Sequence, residues 1–293
     1  MPVNYADKTS LSALWCQRIA VFLLPYFAAV ILLFRFSKVE LSQLIALGGV
    51  GFILTIVALL LGLRAISLLW VKGYGGGTMA IAGLIIVLVI LLPFMYFAFL
   101  GLRLPLANDV STDAFNPPKY VQADLKRANA SRSNINPVGS YDRDHALKIV
   151  AAYPKLQSRR YPAGPERVLE AVRAIVLANN WPVTGVRGIP EIGSNVEDDQ
   201  ELADNASEEN TDNSVSDSLE VGEDMYLEFL ERTPVFGFPN DVVVRIVNED
   251  RNTRVDLRVS SRFGKHDLGY NARLIERFLF QLDTALLGIA GEG

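Results

Sequence analysis

The sequence predicts an α-helical membrane segment of about three transmembrane helices, followed by a soluble α+β domain with an antiparallel sheet and two helices on one face. Two observations predict this fold class. Three long apolar stretches fill residues 1–104, whereas residues 105–293 carry most of the charged side chains. In the second part, runs with the two-residue period of β-strands lie between two helical patterns. The chain is therefore expected to contain two regions adapted to different solvents.

The predicted membrane helices lie near residues 14–34, 41–63 and 78–102. Each is about 20 residues or longer, which at about 1.5 Å rise per residue matches a hydrocarbon layer of about 30 Å. Helices of soluble proteins are rarely apolar around their whole circumference over this length. A cleaved signal peptide is not indicated, because no small-residue cleavage site follows the first stretch. The lipid bilayer is therefore the first partner that the sequence predicts.

Lysine and arginine residues near the helix ends predict the orientation of these helices. Four basic residues would share the side of the N-terminus and three the other side, the first set being Lys8, Arg18, Arg64 and Lys72 and the second Arg35, Lys38 and Arg103. The small excess favours a cytoplasmic N-terminus. After three crossings, residues beyond about 104 would lie in the periplasm of a Gram-negative cell, and the chain would be a multi-pass protein of the bacterial inner (cytoplasmic) membrane.

The first part of the soluble region, residues 105–293, combines extended segments with one amphipathic helix. Residues 104–121 contain paired prolines and clustered Asn, Asp and Ser, which predicts a tether along the domain surface. A helix is predicted over 165–179, with proline at its first position, and a short strand over 183–186. The acidic tract at 194–223 has too little apolar surface to offset the entropy of ordering it, so a disordered insertion is predicted there.

The clearest β-pattern comes from the runs at 241–248 and 253–260, which follow an alternating stretch at 225–230. The two later runs are predicted to form a hairpin, with Ile246 facing Val255, Val244 facing Leu257, Val242 facing Val259 and Arg245 meeting Asp256. A shift of one residue would place apolar side chains opposite charged ones, so this register is strongly specified. An amphipathic helix over 269–287 completes the predicted domain.

No catalytic or cofactor motif is recognisable in the sequence. The glycine-rich run at 73–77 lacks the strand and the spacing of a nucleotide-binding loop, and is interpreted as a turn between two helices. His145 and His266 accompany neither a nucleophile motif nor a metal-ligand spacing. No basic stripe with interleaved aromatic residues predicts nucleic-acid binding. The sequence therefore predicts no cofactor, no metal site, no catalytic residue and no nucleic-acid partner.

Three segments of the soluble region resemble a known domain family. They are residues 109–118 (DVSTDAFNPP), 236–245 (FGFPNDVVVR) and 255–273 (VDLRVSSRFGKHDLGYNAR), and the family is the bacterial and plastid domain of unknown function 1499. The resemblance extends over residues 105–287. It implies no known reaction. Members are often preceded by secretion or membrane signals, which implies an extracytoplasmic location for the soluble domain.

The last of these segments contains a candidate ligand-binding site. Its proposed residues are Arg258, Ser260, Arg262, Asp267, Asn271 and Arg273. A phosphate or carboxylate could sit between Arg258, Arg262 and the N–H groups that begin the last helix. In the alternative interpretation, Asp267 caps that helix and pairs with an arginine, and no ligand is involved.

Two functions from different classes are compatible with this sequence. The first is an integral membrane protein of the bacterial cell envelope whose extracytoplasmic domain binds a protein partner or an anionic ligand. The second is a membrane-anchored hydrolase or transferase that uses an Arg/Asp/His cluster near residues 258–271, with His266 as its histidine. A deep pocket lined by this cluster would favour the enzyme. Buried arginine–aspartate pairs without a cleft would argue against it.

Overall fold

The computed structural model describes residues 9–36, 39–123, 127, 135–136, 141–189 and 224–287, and confirms the predicted fold class. Three helices come first, namely α1 (Leu11–Arg35), α2 (Leu41–Lys72) and α3 (Gly77–Arg103). The domain that follows contains β1 (Asp109–Ser111), α4 (Arg143–Ala152), β2 (Arg159–Tyr161), α5 (Pro165–Ala178), β3 (Val183–Arg187), β4 (Met225–Arg232), β5 (Pro239–Asn248), β6 (Thr253–Ser261) and α6 (Tyr270–Leu287). The predicted disordered insertion at 194–223 lies outside the described residues.

Helices α1, α2 and α3 are each long and apolar enough to cross a membrane. In the most apolar 18-residue stretch of each helix, at most 22% of the residues are buried. Large apolar side chains such as Ile53 and Leu92 therefore face outward. Helix α2 continues to Lys72 instead of ending at 63, because the residues after Arg64 are again mostly apolar and the first glycine that can end the helix is Gly73. At 32 residues it is about 48 Å long, which exceeds the roughly 30 Å hydrocarbon layer.

The three helices pack closely around Cys16 of α1. A Cβ atom at Gly83 of α3 would lie 2.7 Å from the Cys16 Sγ atom, and one at Gly62 of α2 would lie 2.9 Å from it. Only glycine therefore permits this packing distance. At the start of α1, the backbone N–H of Ser10 donates to the Gly75 carbonyl oxygen over 3.0 Å. The N-terminal end of α1 and the α2–α3 turn thus lie together, opposite the domain.

Within the described residues, the strands form one open antiparallel sheet in the order β1-β6-β5-β4-β3, and β2 also pairs with β6. The predicted hairpin of β5 and β6 is confirmed in every pair. Ile246 faces Val255, Val244 faces Leu257, Val242 faces Val259 and Arg245 faces Asp256. The alternation of apolar and charged side chains on β6 fixes this register because one face of the sheet is the core.

Helices cover the apolar face of the sheet. Helices α5 and α6, both predicted, pack on β4, β5 and β6 through residues such as Val172, Ile275 and Phe278. Helix α4 was not predicted, and it reaches the same core through Ile149. On β4, Phe229 is fully buried and stacks on Trp181 with ring centroids 5.2 Å apart. This side of the sheet is a continuous apolar core.

The opposite face of the sheet is polar, yet it is also buried. The prediction of a surface tether over 104–121 was wrong in this respect: β1 extends the sheet, and residues 112–123 cross its polar face. The backbone N–H groups of Val121 and Gln122 donate to Glu228 of β4 over 2.7 and 3.0 Å. Residues 112–123, together with Arg127, are called the cover segment below. The polar face is therefore an interior surface.

Candidate functional site

Arg258 lies on the polar face of β6, where Asp109 of β1 is its ion-pair partner. Its Nε and Nη2 atoms donate to the two carboxylate oxygens of Asp109 over 2.9 and 2.8 Å, and Nη1 donates to the Pro118 carbonyl oxygen over 3.2 Å. The rings of Tyr120 and Tyr141 lie 5.0 and 5.2 Å from the guanidinium carbon. Burial lowers the pKa of Arg258, but the hydrogen bonds and charge of Asp109 outweigh burial and raise it overall. The arginine is thus held charged inside the protein.

Asp241 of β5 is fully buried and binds two arginines. Arg262 donates from Nε and Nη2 to its two oxygens over 2.9 and 2.7 Å, and Arg127 donates from Nε over 2.8 Å. Arg127 also donates to the hydroxyl and the carbonyl oxygen of Ser260, over 3.1 and 2.8 Å. The hydrogen bonds to Asp241 raise the pKa of Arg262 against the effect of burial. One carboxylate therefore joins β5, the end of β6 and the cover segment.

Asp267 caps the start of α6. Its Oδ1 atom accepts from the Gly269 N–H over 2.8 Å, and Oδ2 accepts from the Asn271 N–H over 3.1 Å. Burial raises the pKa of Asp267, although these two bonds oppose the rise. The cap uses the N–H groups that a bound anion would need, so the geometry fits the capping interpretation. Within the described residues, no arginine forms an ion pair with Asp267.

Asn271, the second residue of α6, is buried and fixes the position of the helix. Its Nδ2 atom donates to the Asn108 carbonyl oxygen over 3.0 Å, and its Oδ1 atom accepts from the Ser261 hydroxyl over 3.2 Å. Arg273 lies two residues further on, on another side of the helix, and is more exposed. Its Nη2 atom donates to the Leu268 carbonyl oxygen over 3.1 Å. The sequence-predicted residues thus lie around one end of β6, but each contacts groups of the protein itself.

His266 is not arranged as a general base. Its Nδ1 atom accepts a hydrogen bond from the Leu268 N–H over 3.1 Å, which leaves the proton of the neutral ring on Nε2. A neutral imidazole in this tautomer has no free acceptor nitrogen to receive a proton. His266 and Asp267 therefore form part of the turn before α6, and the geometry of the two side chains does not resemble a catalytic dyad.

The domain after the three helices matches a known family. A family model described as a protein of unknown function (DUF1499) matches residues 109–282. The chain belongs to this family. The match begins at the first residue of β1 and ends within α6, so the DUF1499 domain contains the sheet and the buried ion pairs and excludes α1, α2 and α3. No curated protein and no solved structure matches the chain.

Arg258 and Arg262 are paired with aspartates of the DUF1499 domain, and two surface recesses lie elsewhere. One recess of about 300 Å³ lies between the cover segment and the end of α4, and is lined by residues 112–115, 150, 153–154, 156–158 and 160. A second recess lies on the other side of Phe115. Neither is lined by Arg258, Arg262 or His266. The Arg258–Asp109 and Arg262–Asp241 pairs therefore lie outside these two recesses.

Sequence reasoning missed the partners of the predicted arginines. Asp109, Arg127 and Asp241 complete the ion pairs, and Glu228 holds the cover segment, but none was assigned to the site. A signal did exist, because charged residues at alternate positions of β4, β5 and β6 need buried partners once the face is covered. Within the described residues, no three His, Cys, Asp or Glu side chains form a group that could hold a metal ion.

Proposed function

We propose that this chain is an integral membrane protein of the bacterial cell envelope and that its DUF1499 domain is an extracytoplasmic binding module. The observation that carries the placement is the geometry of the three apolar helices. The N-terminal end of α1 lies beside the α2–α3 turn, whereas the other ends of α1 and α3 meet the domain. Three crossings put the N-terminus and the domain on opposite sides of a bilayer.

The distribution of Lys and Arg residues and the family resemblance both support an extracytoplasmic position of the domain. The N-terminal side carries four Lys and Arg residues, including Arg64 and Lys72, and the domain side carries three near the helix ends, including Arg35 and Arg103. The excess favours a cytoplasmic N-terminus. The resemblance to a family whose members often follow export signals points the same way. In a Gram-negative cell the domain would then occupy the periplasm.

The recess beside Phe115 supports binding as the activity. Phe115 is 63% exposed although it is a large aromatic residue, and it separates two recesses. Val150 of α4 lines the first recess together with Arg160, which is paired with Glu249 over 2.8 Å, so this surface offers apolar contact beside an ion-paired arginine. Exposed aromatic residues next to such depressions are typical anchors in protein interfaces. The proposed ligand is therefore an envelope protein or an anionic envelope molecule that binds at Phe115.

The placement is tested by alkaline phosphatase fusions, because the enzyme is active only after export. Activity is expected for fusions after residue 293 and within residues 36–40, and no activity for a fusion within residues 73–76. The opposite pattern would refute the placement. For the binding part, a photocrosslinking phenylalanine analogue at Phe115 is expected to link to a ligand in intact cells. The same analogue at Phe280, which is 71% exposed on α6, is the matched control, and equal linking at both would refute a site at Phe115.

A further inference from the structure

The loop between β4 and β5, residues 233–238 (TPVFGF), contacts the end of α1. Arg35, the last residue of α1, donates from Nη1 to the Thr233 carbonyl oxygen over 3.0 Å. The rings of Phe34 and Phe238 lie with centroids 5.1 Å apart. The loop is therefore attached to the helix at the level where α1 would leave the hydrocarbon layer.

This loop is internally ordered and presents apolar side chains outward. The Gly237 N–H donates to the Thr233 carbonyl oxygen over 2.9 Å, and the Phe238 N–H donates to the Thr233 hydroxyl over 2.9 Å. Gly237 has φ +74°, and a Cβ atom there would lie 2.7 Å from the Arg35 guanidinium. Val235, at the tip, is 58% exposed, and Pro234 is exposed beside it. A fixed turn thus holds an apolar tip away from the domain core.

A second loop, residues 262–269, contacts the end of α3 on the same side. A Cβ atom at Gly101 would lie 3.7 Å from Leu268, and the Asp267 N–H donates to the Ala107 carbonyl oxygen over 2.9 Å. Phe263 of this loop lies 6.2 Å from Phe238 of the first loop, measured between ring centroids. The domain therefore rests on the ends of two apolar helices, and its orientation relative to them is fixed by contacts.

We propose that the β4–β5 loop enters the interface of the bilayer, with Pro234, Val235 and Phe236 at the boundary between headgroups and acyl chains. The occupant is lipid because the loop is continuous with the surface of α1 that lipid would cover. Arg35 and Arg232 flank the loop and suit the phosphate groups of anionic phospholipids. Apolar tips of this kind enter the interface by about 5–10 Å, while long basic side chains keep their charge among the headgroups.

Val186 provides a matched control for Val235. It is also a valine, it is 52% exposed, and it belongs to β3 at the edge of the sheet. It pairs with Leu227, which precedes the last residue of β4 by about 17 Å of strand. A probe at Val186 therefore reports an exposed position on the same domain that the proposal keeps out of the lipid.

The test uses the full chain with Cys16→Ala and single cysteines at Val235, Val186 or Ile53, each labelled with an environment-sensitive fluorophore. The chain is reconstituted in phosphatidylethanolamine and phosphatidylglycerol vesicles that contain lipids brominated near the ester end or near the methyl end. Severalfold stronger quenching is expected at Val235→Cys than at Val186→Cys, and shallow bromine should quench Val235→Cys more than deep bromine. Equal quenching at the two valines would overturn the proposal.

The third position separates this proposal from the proposed function on which it rests. Ile53 lies near the middle of α2 and is 63% exposed, so deep bromine is expected to quench a probe there strongly. Quenching at Ile53→Cys but not at Val235→Cys would refute only the loop contact, whereas no quenching at Ile53→Cys would refute the membrane span. If Cys16→Ala does not fold, the same labelling is done with Cys16 retained, because its thiol is buried and is expected not to react with the probe in the folded chain.

Discussion

Both faces of the sheet are buried, but apolar side chains fill one face, whereas charged side chains lie beside a small apolar cluster on the other. On the face under α5 and α6, Phe229 and Leu257 are fully buried among other apolar residues. On the face under the cover segment, Glu228, Asp241 and Asp256 are also fully buried, and arginines or backbone N–H groups contact them. The same strands therefore have one buried face that is packed by apolar side chains and one buried face that is held largely by charged contacts.

This difference separates net stability from structural specificity. Burying apolar surface contributes about 25 cal/mol per Å², without directional requirements. A buried ion pair nearly breaks even against its desolvation cost, but loss of one partner leaves an uncompensated charge and costs several kcal/mol. The apolar face is thus expected to supply most of the net stability, and the polar face to fix where the cover segment lies. Three substitutions test this distinction.

The largest effect is expected for Asp109→Asn on the polar face. The substitution keeps the shape of the side chain but removes the charge that neutralises Arg258, whose side chain is 7% exposed. An uncompensated buried guanidinium is expected to cost about 3–5 kcal/mol in the free energy of unfolding. Pulse proteolysis of the full chain in urea measures this change.

The double variant Asp109→Asn/Arg258→Met is the control for this prediction. Removing both charges is expected to destabilise the domain less than Asp109→Asn alone, because no unpaired charge remains. Glu249→Gln affects the pairs with Arg160 and Arg254 and is expected to have little effect, because Glu249 is 34% exposed and Arg254 keeps Asp256 as a partner. A comparable small change for Asp109→Asn would contradict a polar face that depends on charge pairing.

A smaller effect is expected for Phe229→Leu on the apolar face. Phe229 stacks on Trp181 and lies 5.9 Å from Phe278 between ring centroids. Leucine keeps most of the apolar volume but loses two aromatic contacts of about 0.5–1.5 kcal/mol each, so the expected loss is about 1–3 kcal/mol. The same urea experiment measures it. A loss greater than that of Asp109→Asn would contradict the prediction that a substitution on the polar face costs more stability than one on the apolar face.

The sequence predicts the apolar face well, because the residue pattern that defines this face lies within single strands and helices. Val242, Val244 and Ile246 occupy alternate positions of β5, and their partners on β6 alternate strictly with charged residues, which leaves only one register that places both sets in the core. The helices over 165–178 and 270–287 follow from their apolar stripes in the same way. Periodicity within one element is enough for these predictions.

The polar face could not be predicted in the same way, because its partners are far apart in the chain. Arg258 and Asp109 are separated by 149 positions, and Arg127 and Asp241 by 114. Local alternation predicts that the Arg258 side chain points away from the apolar core. It does not predict whether that side chain contacts water, a ligand or a carboxylate. Helix α4 escaped prediction for a related reason: Leu147 and Val150 are exposed, so its pattern does not mark the buried side.

The smallest effect is expected from a buried carboxylate at the margin of the apolar face. Glu231 accepts hydrogen bonds from the Tyr270 hydroxyl over 2.6 Å and from the Asn240 amide over 2.8 Å, which are neutral donors. Burial raises the pKa of Glu231 above its ordinary value of 4.5, although these bonds oppose the rise. The folded domain therefore binds this proton more tightly than the unfolded chain does.

The sign of the pH dependence follows from that difference. Between the ordinary pKa and the raised pKa, the folded state holds more protons, so the contribution of Glu231 to stability falls as the pH rises through this window. Glu231→Gln is expected to remove this part of the slope when urea midpoints are measured from about pH 4.5 to neutral pH. Some slope of the same sign will persist, because burial also raises the pKa of Asp267. A variant profile parallel to that of the natural chain would show that the Glu231 carboxylate is as stable when charged in the core as it is in water.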